Sequence, residues 1–223
     1  MVGGLSIVPD VRSEVECGMP ALAFVNFINK SGSIGNTVRK VARSLMELNA
    51  RSRFNLFEKY IVGSKILDVG VGAGSMSKIL ISRRFKVVGV DVVNSSLYPG
   101  ITAKIYDGEN LPLKNGSMDT GLLICVLHHC SNPMKVLEET MRVCKRIVII
   151  EDTYRNEFER FLVSARDSVG NFEFYHHDYH RTEDWIKIFM KLGWKSIYTK
   201  EWSSIEFYGM YGRQTLFVIE PND

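Results

Sequence analysis

Residues 66–75, ILDVGVGAGS, set an apolar strand pattern directly against a turn with glycine at every second position. Ile66, Leu67 and Val69 form the apolar core of that strand, and Asp68 lies near its end. Gly70, Gly72 and Gly74 follow, and a helical pattern opens near Ser75. Glycine adopts positive φ without penalty and leaves no side chain between the backbone and an approaching ligand. Strand, glycine turn and helix in that order make a ligand-binding corner. The dinucleotide fingerprint GxGxxG/A fits it poorly, because Ser75 occupies the third glycine position and an acid precedes the first.

From residue 65 onward, strand-length apolar runs alternate with helical patterns. Met76, Ile79, Leu80 and Arg83 recur at helical spacing, and strands are predicted at 86–91, 101–106, 118–126 and 147–150. The last is continuously apolar, as a strand covered on both faces should be. Before it, Val136, Leu137, Thr140, Met141 and Cys144 mark the inner side of a helix. Alternation of this kind predicts a parallel sheet with helical crossovers. The end of the chain departs from it. Thr182 is expected to cap a helix that opens with Glu183 and Asp184 and stops at Gly193. Two strands, 195–202 and 214–219, then follow with GMYG (209–212) as their turn.

Two segments fall outside this core. Residues 1–63 read as an N-terminal helical cap, with Val38, Val41, Ala42 and Leu45 on one face and Phe54, Phe57 and Ile61 after them. Residues 153–181 read as a segment inserted into the domain 64–223, carrying Phe158, Phe161, Leu162 and Ala165 at helical spacing and then FEFYHHDYH. Each serves equally as extra packing or as a lid over a ligand.

Bulk properties narrow the class. The net charge of +3 comes from short, scattered basic groups, which suit solvated helix ends better than a nucleic-acid footprint. Cys17, Cys125, Cys130 and Cys144 include no CxxC pair, so reduced thiols and a cytoplasmic location are expected. No apolar run approaches the ~18 residues of a membrane span, and the N-terminus lacks the pattern of a secretory signal.

Two further acids stand at strand ends. Asp91 closes VVGVDVV at roughly the ~20-residue spacing of a ribose-binding carboxylate, and Asp107 precedes Gly108 in YDGENLPL, with Leu111 placed to line a ring. Alone, Asp91 reads also as a turn or helix cap, and Asp107 as a turn-former.

Together these elements resemble the class I methyltransferases, particularly the small-molecule branch of quinone, sterol and natural-product enzymes. The resemblance runs from Ile66 to about Glu151 and beyond that rests on topology. It implies a Rossmann-like α/β fold: a mostly parallel seven-stranded sheet with a C-terminal antiparallel hairpin and helices on both faces. It also implies S-adenosylmethionine as cofactor. Gly70, Val71, Gly72 and Gly74 would wrap its methionine part with Asp68 near the amino group. Asp91 and Val92 would hold the ribose, Asp107, Gly108 and Glu109 the adenine, and Ile124 and Cys125 would flank the methionine part.

Methyl transfer is an in-line displacement in which alignment can supply ~7–11 kcal/mol. Hydroxyl, phenol or carbon acceptors also need proton removal, for which histidine is suited. All five histidines lie in two places. His129 occupies a position where related enzymes often carry histidine, His128 precedes it, and His177 and His180 lie in the inserted segment. His176 and His180 would share one face of a helix, which leaves a metal site open; the interleaved Phe172, Phe174, Tyr175 and Tyr179 favour an aromatic lid, and no metal is expected. A small-molecule acceptor is expected and nucleic acid is not. A methyltransferase of RNA or protein, a non-catalytic cofactor-binding subunit and an NAD-dependent dehydrogenase remain as alternatives.

Overall fold

Side chains alternate across each central strand, and both sets are apolar, so the sheet must be covered twice. A computed structural model describes residues 32–171, 178–205 and 210–222. Its strands are β1 (Lys65–Val69), β2 (Lys86–Asp91), β3 (Lys104–Ile105), β4 (Met118–Ile124), β5 (Cys144–Asp152), β6 (Trp194–Ile205) and β7 (Tyr211–Pro221). Its helices are α1 (Gly32–Phe57), α2 (Ser75–Ser82), α3 (Pro133–Val143), α4 (Glu157–Asn171) and α5 (Thr182–Lys191). The sheet order is β3-β2-β1-β4-β5-β7-β6. Strands β1 to β5 are parallel, and β7 runs antiparallel to both of its neighbours.

Ile66, Leu122, Val148, Ile150, Leu216 and Val218 point to one face, against Phe54 and Phe57 of α1 and Met76, Ile79 and Leu80 of α2. Leu67, Val69, Leu123, Ile147, Ile149, Phe217 and Ile219 point to the other, against α3 and the Trp185 and Phe189 rings of α5. Each fully buried side chain of this size contributes ~1.5–3 kcal/mol relative to exposure. Helices therefore cover both faces, as the alternation predicts. Asn132 caps α3 by accepting from the Lys135 amide at 3.3 Å, with Pro133 at its first position.

The structure corrects several local expectations. The third strand shrinks from 101–106 to Lys104–Ile105, because it is an edge strand with Ile105 54% exposed. The fourth stops at Ile124 rather than 126. Thr182 does not cap α5: Arg181 holds the cap position, and the Thr182 hydroxyl instead lies 2.9 Å from Thr215 Oγ1. The hairpin strands are longer than expected, and Gly212 pairs with Ser204 inside the ladder rather than forming the turn. Gly209, the first residue of the expected turn, lies outside the described residues.

Helix α1 also differs from its reading. Val38 and Val41 are 39% and 55% exposed. The docked stripe lies beside them, where Arg43 donates to the Leu97 carbonyl and Glu47 pairs with Lys78 of α2. Only at Ala50, Phe54 and Phe57 does apolar packing take over. Truncating Phe57 to Ala should cost about 3–5 kcal/mol, whereas Val41→Ser should stay within about 0.5 kcal/mol. Denaturant unfolding of the two variants checks this; equal effects would mean that α1 is docked differently.

Candidate active site

Strand order reverses between β1 and β4, since the chain winds outward to β2 and β3 before returning to β4 on the other side. The crevice at the carboxyl ends of such strands is where open α/β sheets bind ligands. Here the glycine turn after β1 and the turn after β4 face each other. Val126 Cγ2 lies only 2.6 Å from where a Cβ on Gly70 would stand, so the two turns interlock. Gly72 is different. Its φ is 50°, and a Cβ there would meet nothing nearer than the Gly70 carbonyl oxygen at 4.0 Å. That open face is a cradle that a side chain would fill.

Asp91 ends β2 beside this cradle. Its Oδ2 accepts from the Gly72 amide at 2.8 Å and its Oδ1 from the Val93 amide at 3.3 Å. Burial raises its pKa above the usual carboxylate range, against the pull of those amides. Val71 is buried and Val92 half-buried. Asp68 lies deeper, 3% exposed, and Ser77 Oγ of α2 donates to it at 2.5 Å. Burial, with the negative charge of Asp91 as a smaller cause, pushes its carboxyl up to about 7. A cationic amino group brought near Asp68 would favour its ionised form.

The 107–110 turn is built by Asp107 itself, whose Oδ1 accepts from the Glu109 and Asn110 amides at 2.9 and 2.6 Å. The Asn110 side chain holds its other oxygen at 2.8 Å, and these bonds set its pKa below the usual range. Gly108 takes φ 84°. Glu109 accepts from Asn132 Nδ2 at 3.3 Å, which ties this turn to the start of α3. Leu111, expected to line a ring, is 4% exposed and packs in the core beneath.

Beyond β4, Ile124 is half-buried and Cys125 adopts φ 56°, a conformation uncommon outside glycine. The Cys125 amide donates to the Ile150 carbonyl at 2.7 Å. Burial raises the pKa of its thiol. Leu127, His128 and His129 then form a short 3-10 turn. His128 is buried at 2% exposure, with Nδ1 2.5 Å from Glu151 Oε2. His129 is half-buried, its ring 4.1 Å from that of His128. His180 lies at the return of the inserted segment, edge-on to Trp185 at 4.8 Å and 3.4 Å from Asp178. His176 and His177 lie outside the described residues. Among the described residues no group of three or more His, Cys, Asp and Glu is arranged to hold a metal.

The inserted segment departs from its expected packing. Phe158 and Phe161 are 70% and 67% exposed, and α4 presents Val163 and Arg166 to the body instead. Arg166 pairs with Asp152 and runs past Gly212, where a Cβ would stand 2.2 Å from Nη1. Glu159 accepts from Tyr211 Oη and Arg213 Nε, each at 3.0 Å. Tyr179 is buried and stacks on His128 at 5.2 Å. Gln214 Nε2 bridges Asp152 Oδ1 at 3.0 Å and Cys125 Sγ at 3.3 Å.

Glu151, Asp152, Arg166 and Gln214 are the site residues that sequence reasoning missed. The acids had a signal, since IVIIED ends an apolar strand just as VVGVD does. Arg166 and Gln214 had none.

Residues 67–149 match the family described as a methyltransferase domain. The chain is 28% identical over 158 residues to an uncharacterized protein of Methanocaldococcus jannaschii, covering 68% of this chain and 74% of that one. It is 30% identical over 124 residues to a demethylmenaquinone methyltransferase of Paenarthrobacter aurescens, covering 49% of each. A SAM-dependent methyltransferase of Thermotoga maritima shares the fold at TM-score 0.63 and 15% identity, over 90% of this chain and 98% of that one. Residues 67–149 thus resemble a methyltransferase domain, within a fold shared with SAM-dependent methyltransferases. The chain's activity is methyl transfer, and its cofactor is S-adenosylmethionine.

Asp68 gives this site a pH signature. Its folded pKa of about 7 exceeds the unfolded value of ~3.9. The folded state therefore holds the proton more tightly, and stability falls as pH rises between those values. Asp68→Asn keeps an acceptor for Ser77 and removes the charge. It should flatten the slope and raise stability above neutral pH by on the order of 3 kcal/mol, while weakening cofactor binding. Unfolding curves across pH check the first effect and calorimetry the second; an unaltered slope would show that Asp68 is not the group responsible.

Proposed function

We propose that this enzyme methylates a small molecule, with residues 64–223 as the methyltransferase domain, 1–63 as a helical cap and 153–181 as a lid beside the acceptor. The carrying observation is the open cradle at Gly72 next to the Asp91 carboxylate. A ribose hydroxyl can donate to Asp91 there, because each carboxylate oxygen has lone-pair capacity beyond the amide it serves. The residues fit the cofactor: Gly70, Val71, Gly72 and Gly74 with Asp68 for its methionine part, Asp91 and Val92 for the ribose, Asp107, Gly108 and Glu109 for the adenine. Ile124 and Cys125 flank the methionine part from the other side.

When bound, S-adenosylmethionine supplies a methyl carbon activated by its sulfonium. The chain's own residues align the acceptor and exclude water. Gln214 and Asp152, which reach Cys125 from β7 and β5, form the wall nearest that carbon, and α4 closes over them. His129 and His180, half-buried at the mouth, are the histidines placed to take a proton from an acceptor; His177 belongs to the same segment. Support for a small acceptor comes from the similarity to a demethylmenaquinone methyltransferase. The scattered charge favours no nucleic-acid partner. Among the described residues no helix is long and apolar enough to cross a membrane, and a cytoplasmic location is part of this proposal.

Asp91→Ala should leave the fold intact and weaken S-adenosylmethionine binding by roughly ten- to several-hundredfold, the worth of a hydrogen bond to a charged acceptor. Titration calorimetry measures this, and an unchanged affinity in the folded variant would remove Asp91 from the site. The purified protein, incubated with a metabolite extract and isotopically labelled donor, should label a small molecule. Label on RNA or protein alone would overturn the acceptor class.

A further inference from the structure

Leu97, in the loop that follows β2, is bonded on both sides of its backbone. Its amide donates to the Ala73 carbonyl of the glycine turn at 3.0 Å, and its carbonyl accepts from Arg43 Nη2 of α1. Beside it, Ser96 Oγ lies 2.7 Å from where a Cβ on Gly74 would stand, so the loop is pressed against that turn. One buried residue thus joins α1 to the backbone of the turn.

Tyr98 makes the same connection through its side chain. Its Oη donates to the Arg43 carbonyl at 3.2 Å and lies 3.4 Å from Oγ of Ser75, the first residue of α2. A phenol has one proton to give, so the serine is the donor in the second bond. The ring also meets the Arg43 guanidinium at 5.3 Å and the Lys78 ammonium of α2 at 4.7 Å. Lys78 pairs in turn with Glu47. These polar ties matter because apolar burial is missing from this stretch of α1. From residue 36 to residue 49 no side chain is buried, and apolar docking starts at Ala50. A segment with few buried apolar contacts lies at the low end of local stability.

We propose that Arg43 is a positioning residue for the methyl donor, acting through Leu97 to hold the glycine turn, so that donor binding and docking of α1 are coupled. This rests on the proposed reading that the glycine turn holds the donor. Ala73 lies between Gly72 and Gly74, whose φ of 50° and 84° set the direction of the turn's amides. The hydrogen bond to the Ala73 carbonyl fixes the peptide that leads into Gly74, and Arg43 fixes the residue that makes that bond. Such coupling is reciprocal by thermodynamic necessity. Donor in the turn steadies Leu97, Arg43 and the first half of α1. Conversely, α1 cut loose from Leu97 leaves a turn that binds the donor less tightly. The helical cap thereby acts on the donor through the turn.

The test is hydrogen exchange of the full chain with and without S-adenosylhomocysteine, alongside titration calorimetry. In the wild-type protein, saturating S-adenosylhomocysteine should slow exchange in residues 67–75 and also in residues 36–49. Arg43→Met keeps an extended side chain and removes its donors. It should weaken S-adenosylhomocysteine binding by at least about fivefold, the lower end of ordinary coupling between sites, and remove the slowing in 36–49. Arg43→Lys restores a donor for the Leu97 carbonyl and should recover most of the affinity. Slowed exchange in 67–75 with none in 36–49 of the wild-type protein overturns the coupling, and that readout needs no variant to fold. An Arg43→Met protein that melts at a lower temperature yet binds S-adenosylhomocysteine as tightly as wild type overturns it too, since a merely structural role predicts that pair. Measurable binding with unchanged exchange in 67–75 instead puts the donor elsewhere, which overturns the reading of the turn and the positioning role with it.

Discussion

Helices lie on both faces of β1, β4 and β5, and this two-sided burial governs where anything polar can stand. A polar side chain within those strands must find its partners locally, as Thr120 does by exchanging hydrogen bonds with the Val62 backbone at 2.8 and 3.0 Å. Asp119 stands at the start of β4, held by the Ser64 and Lys65 amides, and the other acids lie toward the carboxyl ends. Asp68, Asp91, Glu151 and Asp152 gather there, each tied to N–H or O–H donors from a turn, a helix or the neighbouring β7. The concentration of acid at one edge is thus the other side of a core built without charge. On the proposed reading of the site, this is the edge where a sulfonium would be held.

Much of this was legible in the sequence, because the decisive signals are local. Ile147–Ile150 is apolar without interruption, which only a doubly covered strand requires, and Asp91 and the three glycines of the turn stand where strand ends place them. Periodicity was less informative where polar contacts compete with it. Val38 and Val41 mark an apolar stripe on α1, yet Arg43 and Glu47 dock the helix one position around. On α4 the same failure is complete, since Phe158 and Phe161 face outward while Arg166 and Glu159 face the body. Arg166 meets Asp152 from 14 residues away and Gly212 from farther still. No spacing rule connects them.

The inverted docking of α4 has an energetic meaning. Apolar contact is tolerant of small slides, whereas ion pairs and hydrogen bonds hold one register. The guanidinium of Arg166 fits against β7 only because Gly212 lacks a side chain. Helix α4 is therefore located by directional bonds at its inner face, and its outer aromatic residues contribute nothing to that placement.

The chain leaves the sheet at Thr153 and returns at His180, and these two residues bridge to each other. The excursion between them begins and ends at one point. Closing a flexible loop grows costlier only slowly, by ~0.6 kcal/mol for each doubling of its length. Length alone thus costs the sheet little, and what ties the excursion down is Arg166 on Asp152, Glu159 on Arg213 and Tyr179 on His128. On the proposed reading of this segment as a lid, the bridge makes the stretch beyond those ties an exchangeable part, in which new acceptor preferences could be tried while the strands stay folded.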